Sequence, residues 1–228
     1  EETIMIDFDL AFRGAGPQTI IKRGGALIEG NASKLAYSPV FMIGGGEPED
    51  EAASDYITYG TNFENFTYKM TTETIEAFGT AFLLTQSIAE DDSPDASFYF
   101  NNIRFVGQDL GASHDSSDAT NTPQEMAIYI GPEANEEMVL GNVFITNCYF
   151  NWFGVGLGPC YLNNNNEFRN IVATGNIALN VNGDEGVQSG DDYGILRIRD
   201  LADYVDVTGD GNKLTRIIES GNISDDQE

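Results

Sequence analysis

A short recurring string constrains the fold of this chain more than any other feature of its sequence. The string reads apolar, any residue, Asn, apolar, any residue, apolar or small. Its clear copies are centred on Asn65, Asn102, Asn147 and Asn170. Weaker copies place Asp9, Asn31, Asp200 and Asn222 at the same point of the string. The intervals run from 22 to 45 residues, which predicts a solenoid, because so short a unit can bury its apolar face only by stacking on its neighbours.

A second short apolar run follows each Asn string, as expected for strands in a solenoid core. These runs cover residues 40–43, 81–84, 127–130, 155–157, 177–179 and 205–207. Helix signals are weak, and the best candidate is the short segment 72–78. We therefore predict an all-β fold, a single right-handed parallel β-helix domain over residues 1–228 with about eight coils and inserted loops. The start at Glu1 is typical of a processed or trimmed product, and coil-like sequence up to Asn222 fits either a piece of a longer chain or an end that docks to a partner.

The repeated Asn has a structural role to fill in such a solenoid. Asn side chains at the same turn of successive coils can stack and hydrogen-bond along the axis. Asn also tolerates the left-handed backbone conformation that tight turns use. We therefore predict a structural Asn ladder of Asn65, Asn102, Asn147 and Asn170.

A segment near the start of the chain carries a family resemblance. Residues 12–21, with Gly14, Gly16 and Thr19, resemble the opening coils of pectate-lyase-like β-helix proteins, in which a G-x-G…T-x-I string follows a strand. The resemblance implies the β-helix fold along nearly the whole chain. It does not choose a function, because that superfamily includes lyases, glycoside hydrolases, pectin methylesterases, phage tailspikes and surface proteins.

The charge balance excludes several partners. The chain has 37 Asp and Glu against 11 Lys and Arg, a net charge of −26. Nucleic acid and anionic membranes require clustered cations, so neither is expected, and no apolar run is long enough to insert into a membrane. An acidic, Lys-poor surface is typical of a saline environment or of an acidic secreted protein. We expect a secreted or cell-surface location, a virion surface included.

Acidic residues are concentrated in the loops that follow the second strands. Stacked at one corner, they would form an acidic ridge, which is either a solvated edge, a Ca²⁺ site or a carbohydrate contact. One segment, with Asp206, Asp210 and Asn212, resembles the first half of a calcium-binding loop. Ile217 stands where a bidentate acid should close that loop, so any Ca²⁺ site there is incomplete.

Catalytic signals are faint. Lyase chemistry needs an Arg or Lys to abstract a proton and neutralise the enolate, and the sequence has no convincing Arg cluster. Glycoside hydrolysis needs two or three carboxylates across a groove, and the candidates are Asp184, Asp191 and Asp192. We do not favour an enzymatic function. If the protein is an enzyme, we favour a glycoside hydrolase over a lyase.

Aromatic residues offer a way to bind sugar instead. Tyr149, Trp152 and Phe153 alternate around a strand end and could stack on a glycan, although we favour the interpretation that Phe150 and Trp152 fill the core or cover a coil edge. The sequence leaves open whether Cys148 and Cys160 are bonded. We expect a surface-exposed module with a binding or structural role that contacts glycans. The alternatives are a glycoside hydrolase, and an architectural or adhesive component whose partners are other surface chains or copies of itself.

Overall fold

The computed structural model describes residues 4–6, 8–23, 40–44, 58–70, 81–88, 95–107, 126–131, 139–151, 154–157, 167–179, 196–198 and 213–224. All regular secondary-structure elements in these residues are β-strands. None of them forms a helix long and apolar enough to cross a membrane. The helix candidate 72–78 lies outside the described residues.

The strands form three sheets of six strands each. The first sheet contains β1 (Ile4–Ile6), β4 (Phe41–Ile43), β7 (Phe82–Leu84), β10 (Met126–Ile130), β13 (Gly154–Leu157) and β16 (Leu196–Ile198). The second contains β2 (Leu10–Arg13), β5 (Gly60–Glu64), β8 (Ser97–Asn101), β11 (Val139–Thr146), β14 (Glu167–Thr174) and β17 (Lys213–Ser220). The third contains β3 (Ile20–Arg23), β6 (Thr67–Met70), β9 (Arg104–Val106), β12 (Tyr149–Asn151), β15 (Ile177–Leu179) and β18 (Ile223–Ser224).

Each sheet is built from every third strand of the chain. The second sheet runs in the order β17-β14-β11-β8-β5-β2, and the other two follow the same rule. Neighbouring strands are parallel throughout, for example β5 with β8 and β6 with β9. The chain therefore visits the first, second and third sheets in rotation, and this confirms the predicted all-β architecture with parallel sheets.

Aromatic rings fill the space between the sheets. Along the second sheet, inward-facing Phe63 lies opposite Phe100, with ring centroids 5.8 Å apart and planes within 9°. Phe82 of the first sheet packs on Phe63 at 4.7 Å, and Phe105 of the third sheet stacks on Phe150 at 5.1 Å. All five rings are fully buried, and each contributes roughly 1.5–3 kcal/mol of hydrophobic stabilisation. The alternation of inward and outward side chains along each strand puts them there.

The recurring string spans two strands and the corner between them. Asn65, Asn102 and Asn147 sit at the corner that joins the second sheet to the third, with φ of 61°, 51° and 53°. The Asn102 amide donates to Asn65 Oδ1 at 2.8 Å, one rung of the predicted ladder. The Asn147 amide reaches Asn101 Oδ1 instead, at 3.4 Å. The left-handed backbone explains why Asn recurs here.

Asn170 does not belong to this row, which corrects the predicted ladder. It lies inside β14, in register with Asn142 of β11 and Arg216 of β17. All three have positive φ, and the Asn170 amide donates to Asn142 Oδ1 at 3.0 Å. The corner position that follows Asn147 is held by Gly175, with φ 65°. The string around Asn170 resembles the corner string, but its Asn marks a left-handed residue within a long strand.

The misplacement of Asn170 in the sequence analysis also makes two other predictions wrong. The run 177–179, predicted to align with the strands of the first sheet, is β15 of the third sheet. The segment 182–192 therefore joins the third sheet to the first, not the first sheet to the second as most of the acidic loops do. The prediction that all acidic loops leave the fold at one common corner is therefore wrong for segment 182–192. The run 205–207 and most of the acidic loop residues lie outside the described residues. Asp95 is an acidic loop residue that the structure does describe, and it is exposed.

Candidate functional site

The first sheet presents no exposed face at its central strands. Met42, Leu83 and Tyr129 alternate with inward-facing neighbours and lie in one register row. They are nevertheless buried, at 6%, 4% and 1% exposure. A ligand therefore cannot reach this row, and the outer faces of the second and third sheets are the candidates.

Several side chains on the outer face of the second sheet interact with one another. Tyr99 and Phe144 lie opposite each other and their rings stack at 4.9 Å with planes within 13°. Arg13 pairs with Glu64 at 3.1 Å in the neighbouring outward row. A further ion pair joins Arg169 to Glu167 on the same sheet. The charges of Arg13 and Arg169 on this surface are therefore already paired within the protein.

The outer face of the third sheet is different, and we call it the cationic face. It is defined by Lys22 of β3, Lys69 of β6, Arg104 of β9 and Tyr149 of β12. Lys22 lies directly opposite Lys69, and Arg104 lies directly opposite Tyr149. The three cations are exposed and Tyr149 is half-buried.

The Arg104 guanidinium covers the ring of Tyr149, with its central carbon 5.2 Å from the ring centroid. At an exposed site such a cation–π contact contributes about 0.5–1 kcal/mol. The next residue, Phe150, points the opposite way and is fully buried in the core. The predicted sugar-contact residue Tyr149 is thus on the outer face, whereas Trp152 and Phe153 lie outside the described residues.

The strands of the third sheet contain Lys22, Arg23, Lys69 and Arg104, and no Asp or Glu. No carboxylate among the described residues lies within ion-pairing distance of Lys22, Lys69 or Arg104, in contrast to Arg13 and Arg169 of the second sheet. In the part of the chain that the structure describes, this face is therefore basic, although the whole chain has 37 acidic residues.

The sequence did carry a signal for this face. Lys69 stands four residues after the corner residue Asn65, while Arg104 and Tyr149 each stand two residues after Asn102 and Asn147. Positions two and four residues past the corner point outward, because side chains alternate along a strand. The sequence analysis sought an Arg cluster and overlooked this face, since Lys22, Lys69 and Arg104 are far apart in the chain and only strand register brings them onto one sheet face.

Buried polar residues at the corners are structural. Asn176 is fully buried, and its Oδ1 accepts from the backbone nitrogen of Cys148 at 2.8 Å. Gln86 clamps the backbone of Thr58, accepting from its nitrogen at 2.9 Å and donating to its carbonyl at 2.7 Å. The sequence marks the first case with a repeated Gly-Asn-Ile at 175–177 and 221–223, which was not used for prediction.

Cys148 is a free and buried thiol. Burial away from water raises the pKa of Cys148 to about 12, because it disfavours the thiolate. Its Sγ donates to the carbonyl oxygen of Thr146 at 3.4 Å. Cys148 is therefore a packing residue and not a nucleophile.

The remaining site predictions fall on undescribed parts of the chain. The catalytic candidates Asp184, Asp191 and Asp192 lie outside the described residues. The calcium-loop residues Asp206, Asp210 and Asn212 do so too, while Ile217, at the closing position of that loop, pairs with Ile171 inside β17 and packs against the core. Within the described part of the chain, no three His, Cys, Asp or Glu residues gather to hold a metal ion.

Comparison with known proteins gives no relative to reason from. No family model, no curated protein and no solved structure matches this chain. Functional inference therefore depends on the surfaces described above.

Proposed function

We propose that the fold is a right-handed parallel β-helix of the pectate-lyase-like kind. The rotation of the chain through three parallel sheets supports this, because each circuit stacks on the previous one. The right hand follows from the general rule that parallel crossover connections are right-handed in about 98% of cases. The six strands described in each sheet account for six circuits, and the expected total of about eight coils stays a prediction.

We infer further that the protein is a secreted or surface-exposed module that contacts glycans. The observation that carries this is the Arg104–Tyr149 pair on an exposed sheet face. A guanidinium donates to hydroxyl or acidic oxygens in a fixed planar geometry, and the Tyr149 ring beneath Arg104 holds that plane in position. Arg104 and Tyr149 are held together on neighbouring strands of one sheet, so their side chains lose little conformational entropy when a ligand binds.

The test is a glycan-array screen combined with a turnover assay, each run with and without Ca²⁺. We expect retention of one class of glycan with no cleavage. Loss of retention on Ca²⁺ removal would extend the account to the acidic loops, whereas equal retention restricts it to the sheet face. The proposal fails if no glycan is retained. Cleavage that is abolished by Asp191→Asn or Asp192→Asn would overturn it in favour of a glycoside hydrolase.

A further inference from the structure

We propose that the cationic face binds an acidic glycan, one that carries carboxylate or sulfate groups. This rests on the proposed glycan contact and names the chemical class of the ligand. The face gathers Lys22, Lys69 and Arg104 on three adjacent strands. Each is exposed, and each is without a carboxylate partner among the described residues.

The arrangement of the two lysines points to an anion from outside the described surface. Lys22 and Lys69 face each other across parallel strands, where neighbouring strands are about 4.8 Å apart. Like charges directly opposite one another destabilise a sheet. The second sheet avoids this by placing Glu64 opposite Arg13. An anionic ligand would supply a counter-charge that no described residue supplies on the third sheet.

The shape of the face suits a linear ligand with repeated anions. Arg104 lies one strand beyond Lys69, and sheet geometry puts the two positions roughly 8 Å apart on the diagonal. The cations thus step along the sheet from β3 to β9. The Arg104 fork can hold a carboxylate or sulfate through two hydrogen bonds, and the ring of Tyr149 fixes its plane.

The net charge of −26 does not prevent such binding. Charges in solution are screened beyond about 8 Å at physiological ionic strength, so a short ligand senses the nearby cations far more than the distant acids. A stiff DNA duplex or an anionic membrane extends well past the cationic face and meets the acidic remainder of the surface. A second copy of this chain carries the same net negative charge. A flexible acidic glycan fits best.

Two matched probes and two matched variants test the proposal. The probes are dextran sulfate and unmodified dextran of the same chain length, with a short DNA duplex as a third ligand. The variants are Lys22→Gln/Lys69→Gln on the cationic face and Arg13→Gln/Arg169→Gln on the second sheet. Both double variants lower the net charge by the same amount, and circular dichroism checks that each remains folded.

We expect dextran sulfate to bind and unmodified dextran to bind at least about tenfold more weakly. The affinity for dextran sulfate should fall at least about tenfold between roughly 50 mM and 200 mM salt. Lys22→Gln/Lys69→Gln should lower it at least about tenfold and flatten the salt dependence, while Arg13→Gln/Arg169→Gln changes it less than about twofold.

Three results would overturn the proposal. One is equal binding of dextran sulfate and unmodified dextran, which leaves glycan contact standing but removes the acidic preference. Another is an equal effect of the two double variants, which assigns binding to net charge and not to this face. The third is duplex DNA that binds as tightly as dextran sulfate through the same lysines. Glycan-array failure with dextran sulfate binding intact would instead count against the proposed function alone.

Discussion

The Asn176 side chain and the backbone nitrogen of Cys148 are joined by a buried hydrogen bond of 2.8 Å. At the next strand of the third sheet, Asn222 Oδ1 accepts from the backbone nitrogen of Asn176 at 2.9 Å. Nδ2 of Asn176 donates to the carbonyl of Ile145 at 3.0 Å, and Nδ2 of Asn222 to that of Ala173 at 3.1 Å. The buried side chain of Asn176 and the partly buried side chain of Asn222 therefore satisfy backbone groups of this corner.

The corner between the second and third sheets is built in two ways along the chain. Earlier corners place Asn at the left-handed position and an apolar residue next to it, as in Asn65-Phe66 and Asn147-Cys148. A later corner places Gly at the left-handed position and Asn next to it, as in Gly175-Asn176. Both arrangements provide the left-handed residue, and they differ in what fills the interior.

Removing the buried amide should be costly. Asn176→Ala leaves the Cys148 nitrogen and the Ile145 carbonyl without that partner in the core. We expect a loss of about 2–3 kcal/mol in the free energy of unfolding, measured by chemical denaturation. Asn147→Gly is the control, because it keeps the left-handed backbone and removes only an exposed contact, and it should change stability by less than about 0.5 kcal/mol. Equal losses in the two variants would contradict the interior role of Asn176.

The left-handed corner should discriminate between Ala and Asn at position 175. Gly175 has φ of 65°, and an added Cβ would lie 3.1 Å from Asn147 Oδ1. We expect Gly175→Ala to lower the free energy of unfolding by about 1–2 kcal/mol, because an ordinary side chain is strained in this region. Gly175→Asn should cost less, as Asn is the native choice at the equivalent positions 65, 102 and 147. An Asn variant as unstable as the Ala variant would show that crowding, not backbone strain, sets the requirement.

Two buried threonines should respond oppositely to the same change. Thr61 is 2% exposed, and its hydroxyl has no hydrogen-bond partner within the described structure. Thr58 is fully buried, and its hydroxyl donates to Asp9 and accepts from the backbone nitrogen of Gly60 at 3.1 Å. We expect Thr61→Val to raise the free energy of unfolding and Thr58→Val to lower it, each by about 1 kcal/mol, with matching shifts of the melting temperature. Destabilisation by Thr61→Val would reveal a partner for that hydroxyl.

The Cys148 thiol should be unreactive in the folded protein. Its pKa is raised from 9.0 to about 12 by burial, so the folded state holds the thiol proton more tightly than the unfolded state. This contribution to stability is fully present below pH 9 and is lost as the pH rises towards 12. In a Cys160→Ser background, we expect no alkylation of Cys148 at pH 8 without denaturant and complete alkylation in denaturant. Rapid native alkylation would contradict the burial of the thiol.

The sequence predicted the parallel all-β architecture because its repeat reports backbone conformation. Asn65, Asn102 and Asn147 recur where a left-handed residue is needed, so their spacing follows the coils. The same logic misplaced Asn170, because a left-handed residue within β14 carries an almost identical string. One string cannot distinguish a corner from an interruption in a strand, and that error moved residues 177–179 to the wrong sheet.

The cationic face was harder to predict than the fold. Lys22, Lys69 and Arg104 are separated by inserted segments of different lengths, and strand register alone brings them together. Composition pointed the other way, because a net charge of −26 describes the whole chain and not one sheet. Tyr149 points outward because it alternates with the buried Phe150. Its contact with sugar stays a prediction.

The most direct test of the central claim is a titration of the glycan that the array retains best against three proteins. These are the wild type, Tyr149→Ala on the cationic face and Tyr99→Ala on the second sheet, where Tyr99 is 44% exposed. The account predicts that Tyr149→Ala weakens binding at least about tenfold, while Tyr99→Ala leaves the dissociation constant within about twofold. Unchanged binding by a folded Tyr149→Ala protein, or an equal loss in Tyr99→Ala, would contradict it.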